Sequence, residues 1–192
     1  MAPVTIHYQE TAFTAPMLVD RQAMHQSVYD AMTNGQHQDR RGFVFDLLPI
    51  DAGHTLALAM VRGAKLPDAI PAEDKSLTVR HGDQLRIRVR VASVRRPRSA
   101  GGKSVAQRVP PGQLEQWFTA LLSRKGMSAE DVRVVDKATF HVDKEPYPFI
   151  IPAVRYSATV TIDNPVSFAT AFLSGVGRHK GYGLGLLEVE TE

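Results

Sequence analysis

Seven histidines, a glycine-rich stretch near the carboxyl end and a run of arginines are the residues of this 192-residue chain best suited to chemistry. An imidazole with its ordinary pKa of ~6.5 takes or gives a proton around neutral pH. On that ground alone each of His7, His25, His37, His54, His81, His141 and His179 is a candidate. The chain has no cysteine, which removes thiolate nucleophiles, Cys-ligated zinc and disulfides. The histidines are scattered without H-x-x-x-H spacing, so no metal site and no cofactor are expected.

Residues 84–114 carry Arg86, Arg88, Arg90, Arg95, Arg96, Arg98, Lys103 and Arg108 and no acid. The whole chain is only +3, so the remainder is slightly acidic. A concentrated basic segment in an otherwise acidic chain is the charge asymmetry of a polyanion-binding surface, with nucleic acid the commonest ligand. Within it, Leu85-Arg86-Ile87-Arg88-Val89-Arg90-Val91 alternates strictly, as a strand with one buried face does. Its other face would line up three guanidinium groups roughly 6.7 Å apart, close to the step between phosphates on a nucleic-acid strand. Like charges so arranged repel unless an anion neutralises them, which favours a bound polyanion over a merely solvated face.

The glycine-rich stretch reads Gly175-Val176-Gly177-Arg178-His179-Lys180-Gly181-Tyr182-Gly183-Leu184-Gly185-Leu186-Leu187. It is neither a dinucleotide fingerprint, since Lys180 stands where the third glycine belongs, nor a phosphate-binding P-loop. Two readings stay open. Its amides could form an anion nest, with Arg178, His179 and Lys180 adding charge; or its glycines only thread the chain against a helix.

The elements that must position these residues follow from periodicity. The first half reads as strand 4–10, helix 21–33, strands 42–48 and 55–61, a short helix near 66–74 limited by Pro67 and Pro71, and strand 85–94. Asp20 is placed to cap the first helix, with Val19 and Met24 at staple positions and a core stripe of Met24, Val28 and Ala31. The second half reads as strand 104–109, helix 113–125 on the spacing of Leu114, Trp117, Phe118, Leu121 and Leu122, strands 131–140 and 154–162, a helix opened by Asn164-Pro165, and strand 184–189. Each half spells β-α-β-β-α-β. Element order therefore predicts an α+β protein of tandem ferredoxin-like units: residues 1–95, a basic linker 96–103, and residues 104–192 with a glycine-rich loop at 175–185. At 43% hydrophobic and 22% charged, the composition excludes disorder. No basic-then-apolar leader and no apolar run near ~18 residues is seen, so a cytoplasmic chain without membrane contact is expected.

Residues 175–187 resemble the glycine-rich signature of CRISPR-associated repeat-processing endoribonucleases, with spacing most similar to the CasE (Cse3) family of the Cascade complex. Gly175, Gly177, Gly183, Gly185, Lys180 and Leu186-Leu187 fall where that family places them. Arg41-Gly42-Phe43-Val44-Phe45 resembles its arginine and aromatic strand. His25 lies early in the first helix, where the family carries its catalytic histidine. One position departs: the family's tyrosine three residues before that histidine is Gln22 here.

The resemblance implies a metal-independent endoribonuclease that cuts CRISPR repeat RNA by attack of a ribose 2′-hydroxyl, leaving a 2′,3′-cyclic phosphate and a 5′-hydroxyl. That chemistry needs a base, an acid and positive charge at the phosphorus. His25 suits it. It is rotated about 100° off the core stripe, on a flank shared with Arg21, Gln22 and Tyr29, where Tyr29 could orient it or contact the scissile phosphate. Lys180 would supply charge at the cleavage site. The expected RNA contacts are Arg41, the eight basic residues of 84–114, Lys144, Arg155, Gly177, Arg178, His179 and Gly183. The implied partners are the repeat hairpin, retained as product, and other subunits of a crRNA-guided surveillance complex, including the backbone subunit beside the 3′ hairpin. The alternative is a non-catalytic hairpin-binding subunit of the same fold.

Overall fold

The computed structural model describes residues 2–16, 20–33, 42–51, 55–96 and 106–190. Val19, Arg41, Arg98 and Lys103, and most of the expected linker, lie outside the described residues.

The first sheet is built from β1 (Val4–Pro16), β2 (Phe43–Pro49), β3 (Leu56–Gly63) and β4 (Glu73–Val79), in the antiparallel order β2-β3-β1-β4. Helix α1 (Arg21–Thr33) covers one face and buries Met24, Val28 and Met32 against Phe43, Phe45 and Leu47 of β2. The inward stripe thus steps by four residues, and Ala31, expected in it, is exposed. Asp20 caps the helix as its position predicts, accepting from the amides of Gln22 at 2.9 Å and Ala23 at 3.0 Å. The same carboxylate accepts from the amide of Asp143 at 2.8 Å, which ties the start of α1 to the distant second half of the chain.

The second sheet contains β5 (Gln84–Ala92), β8 (Met127–Val142), β9 (Phe149–Ile162) and β10 (Glu188–Val189), in the order β10-β5-β9-β8. Two two-residue strands, β6 (Val94–Arg95) and β7 (Gln107–Arg108), pair as a small ribbon. Helices α2 (Leu114–Ser123) and α3 (Pro165–Ser174) pack on this sheet around Phe118, Phe168 and Phe172, with Phe118 stacked on Tyr156 at 4.0 Å between centroids. Asn164 accepts from the amide of Ser167 at 3.0 Å and Pro165 opens α3, which is the predicted cap.

Both sheets therefore share one strand order, that of two ferredoxin-like units in an α+β protein. The assignment of strands to units is corrected at one place. The arginine strand, expected to close the first unit, pairs with β9 and β10 and is the first strand of the second sheet. The change of sheet falls at the turn of residues 80–83. The fourth strand of the first sheet is β4, in a region where a short helix was expected around 66–74; Pro67 and Pro71 deny the backbone a helical ladder there. Of the expected strand 104–109, residues 104 and 105 lie outside the described residues and Gln107–Arg108 forms a strand, while strand 184–189 shortens to Glu188–Val189.

Residues 184–187 are buried and make their hydrogen bonds outside the regular β10 ladder. Gly185 donates to the carbonyl of Arg90 at 2.7 Å and accepts from the amide of Val176 at 2.8 Å. Arg62 of β3 donates to the carbonyl of Leu187 at 2.6 Å and lies 3.7 Å above the ring of Phe172. The glycine-rich loop is thus built into the seam.

Candidate active site and nucleic-acid interface

His25 projects half-buried from the flank of α1 between two tyrosines. Its ring lies 5.8 Å from that of Tyr29, one turn on, and 5.6 Å from that of Tyr182. Tyr182 belongs to a single 3-10 turn, Lys180–Tyr182, set between His179 and Gly183 in left-handed conformations. Its hydroxyl donates to Gln22 Oε1 at 3.3 Å. The row of rings continues through His179, 6.2 Å from Tyr182, to Phe149 of β9, 5.7 Å from His179. An imidazole on the first unit and an imidazole on the second thus flank one phenol.

Two glycines make this approach possible. A Cβ on Gly185 would overlap the carbonyl of Val176, and φ there is +88°. A Cβ on Gly183, at φ +73°, would press on Phe45 and Leu47 of β2. A side chain at Gly183 would press the loop off the first unit, and one at Gly185 would distort the loop against its own Val176; either change disturbs the turn that carries Tyr182. Lys180 sits at the other side of this turn, with Nζ donating to the carbonyl of Ser174 at 2.6 Å, at the negative end of α3.

Burial, followed by the positive charges of Arg178 and Arg96, holds the His179 imidazole below its ordinary pKa of 6.5. Burial first, and then the carboxylate of Asp20, pushes the Tyr182 phenol up. Near neutral pH, His179 is an uncharged ring and Tyr182 keeps its proton.

The arginine face differs from expectation in its pairing. Arg86 and Arg88 are exposed, but Glu190 reaches Arg88 at 2.6 Å and Arg86 at 3.9 Å. Arg90 is only 9% exposed; it bonds Asp136 at 3.1 Å and faces Asp46 at 3.9 Å. Arg155 is ion-paired with the same buried Asp46. The row of three free guanidinium groups is corrected to two exposed ones above a buried lattice. Its acids come from β2, β8 and the segment after β10, all remote from the basic stretch in sequence. Arg21, at the first turn of α1, is buried beside this lattice with its guanidinium 3.7 Å over Phe140. Desolvation, then Arg90, lowers its pKa to about 10 against the opposing pull of Asp46.

Of the other predicted contacts, Arg95, Arg96, Arg108, Lys144 and Arg178 are exposed. Gly177 packs against Val91. Tyr182, Asp46 and Asp136 are the residues that sequence reading missed. Tyr182 is the one tyrosine of the glycine-rich stretch, and that was its only signal.

The sequence matches the family described as CRISPR associated protein over residues 4–190. The chain belongs to that family. Among curated proteins none matches it in sequence. Among solved structures, this family member is similar to the CRISPR endoribonuclease Cse3 bound to a 19-nucleotide RNA, with 20% identity, a TM-score of 0.73, and 96% of this chain and 98% of the other covered. It is similar to Thermus thermophilus Cse3 bound to an RNA representing a pre-cleavage complex, with 19% identity, a TM-score of 0.69 and coverage of 96% and 99%. It is also similar to Cas6e from Escherichia coli K-12, with 16% identity, a TM-score of 0.70 and coverage of 97% and 100%. At these identities the likeness shows a shared fold. Among the described residues no helix is long and apolar enough to cross a membrane.

Proposed function

We propose that this CRISPR-associated chain is an endoribonuclease of the Cse3 type, which cleaves CRISPR repeat RNA at a stem-loop and keeps the hairpin as a subunit of a crRNA-guided surveillance complex. The observation that carries this reading is the seating of His25 at the seam between the units, 5.6 Å from Tyr182 of the glycine-rich loop. Similar folds include Cse3 bound to RNA and a component of a CRISPR RNA-guided surveillance complex. Those partners, repeat RNA and neighbouring subunits, are the ones we assign here.

In the proposed reaction the ribose 2′-oxygen forms a bond to the adjacent phosphorus and the bond to the 5′-oxygen breaks, giving a 2′,3′-cyclic phosphate and a 5′-hydroxyl. No water and no metal ion enters that balance. His25 moves a proton at the reacting oxygens. Tyr29 and Tyr182 flank its ring and fix its orientation, and Lys180 with Arg178 supplies charge toward the phosphate. An A-form stem offers mainly shape and phosphates, which suits the exposed Arg86, Arg88 and Arg108. Gln22, standing where the resembling family has a tyrosine, favours a second reading: a subunit that holds the hairpin without cutting it.

Incubation with the cognate repeat RNA in EDTA tests both. Cleavage that is lost in His25→Ala while binding persists is the expected result. Unchanged cleavage in that variant removes the site assignment, and tight binding without cleavage by the unaltered chain selects the second reading.

A further inference from the structure

A pocket of about 330 Å³ opens beside the glycine-rich loop, where β5 runs into β6. Its floor is Trp117 and Leu121 of α2, and its rim is Arg95, Arg96, Arg124 and Arg178. Among the described residues no acidic side chain lines it, in contrast to the paired arginines of β5. Arg95 is steered by a hydrogen bond from Nη1 to Gln113 Oε1 at 3.1 Å, and all four arginines are exposed. Arg178 belongs to the glycine-rich loop itself, so the cationic rim of the pocket is continuous with that loop.

We propose that this pocket binds an unpaired nucleotide flanking the repeat hairpin, with its base against Trp117 and its phosphate among Arg96, Arg124 and Arg178. The assignment rests on the RNA-processing reading above and names the part of the substrate that the pocket takes. A paired stem keeps its bases inside the stack and offers only phosphates. An indole ringed by guanidinium groups is of use to a base whose face is free, because stacking accepts any base while the cations hold the backbone. The volume is at the small end for ligand pockets and suits one nucleotide rather than a run of them. The position agrees. Arg178 adjoins His179, whose ring is 6.2 Å from Tyr182, itself 5.6 Å from His25. A strand leaving the reacting linkage along the loop reaches this pocket next.

Trp117 is the single tryptophan of the chain, so its fluorescence reports on this pocket alone. The full chain and its His25→Ala variant are titrated with a blunt repeat stem-loop and with the same stem-loop carrying its flanking repeat nucleotides. Quenching with the flanked RNA only, and an affinity for it about tenfold lower in Arg124→Ala with blunt-stem affinity unchanged, is expected. Equal quenching by the blunt stem overturns the proposal, because stem phosphates then occupy the pocket. Binding of both RNAs without quenching also overturns it and leaves the pocket to an acidic protein partner. Arg124 is exposed, so its variant remains informative even where Trp117→Ala fails to fold. Cleavage that survives in His25→Ala sinks the proposed chemistry without touching the quenching, so the two failures are separable.

Discussion

The hydroxyl of Tyr182 donates to Gln22 Oε1 across 3.3 Å, joining the glycine-rich loop of one ferredoxin-like unit to the first turn of the helix in the other. His25 stands one turn beyond Gln22, with its ring beside the same phenol. The loop thus adds a second tyrosine to Tyr29, the one that α1 itself sets beside His25. That tyrosine is held by the side-chain amide of Gln22, by the ring of Phe149 at 5.8 Å and by the ring of His179.

Removal of that ring tests its part in orienting the imidazole. Tyr182→Ala is expected to slow single-turnover cleavage by ~10- to 100-fold, on the order of 1.4–2.7 kcal/mol of barrier, with RNA affinity changed only a few-fold. Tyr182→Phe, which keeps the packing and loses the bond to Gln22, is expected to lose less. Wild-type rates in the alanine variant would separate Tyr182 from the reaction.

The arginines of β5 are expected to divide by function. Arg86→Ala with Arg88→Ala lowers the slope of log affinity against log salt by roughly 0.7–0.9 for each phosphate that is no longer neutralised, and Glu190→Gln tightens RNA binding by releasing both side chains. Arg90→Ala acts on folding instead. It strips Asp46 of one of its two ion-pair partners and is expected to cost about 3–5 kcal/mol, read by urea unfolding. Unfolding unchanged in Arg90→Ala, with a reduced salt slope, would return Arg90 to the RNA face.

The environment of His179 sets a pH dependence. Its folded-state pKa lies below the ordinary 6.5, so the unfolded chain takes up a proton first as the solution is acidified. Stability is insensitive to this group above ~6.5 and falls as pH drops from there toward the folded-state value. NMR titration of the ring and urea unfolding across this window check the sign, and His179→Gln is expected to flatten the slope. A bound phosphate would raise the pKa again, so RNA addition should shift the titration upward. Titration at or above 6.5 in the free chain would contradict the assigned environment.

Helices α1, α2 and α3 were legible because each carries an apolar stripe and two announce themselves by caps, Asp20 and Asn164-Pro165. Strand β4 was not: Glu73 to Ser76 are exposed and polar, and only Val79 is fully buried, so no alternation marks it. The arginine strand was visible as a strand, but its sheet was not, because pairing with β9 and β10 is a long-range outcome. The same limit hid Asp46, Asp136 and Glu190 as partners of the arginines. A charge count along the chain sees neighbours in sequence, whereas these carboxylates arrive through folding. His25 and the glycine-rich loop were both readable, and the family resemblance implied that they meet; what nothing in the spacing of residues 25 and 182 encodes is that Tyr182 makes the contact and that Gly183 docks on Phe45 and Leu47.

One carboxylate serves three amides, those of Gln22, Ala23 and Asp143. Two of these begin the helix that bears His25 and the third follows β8 at the tip of the long hairpin. The hairpin tip and the first turn of α1 thus meet at the Asp20 carboxylate. The hairpin tip and the start of the helix that bears His25 are therefore fastened by one side chain, and a change at Asp20 unfastens both together.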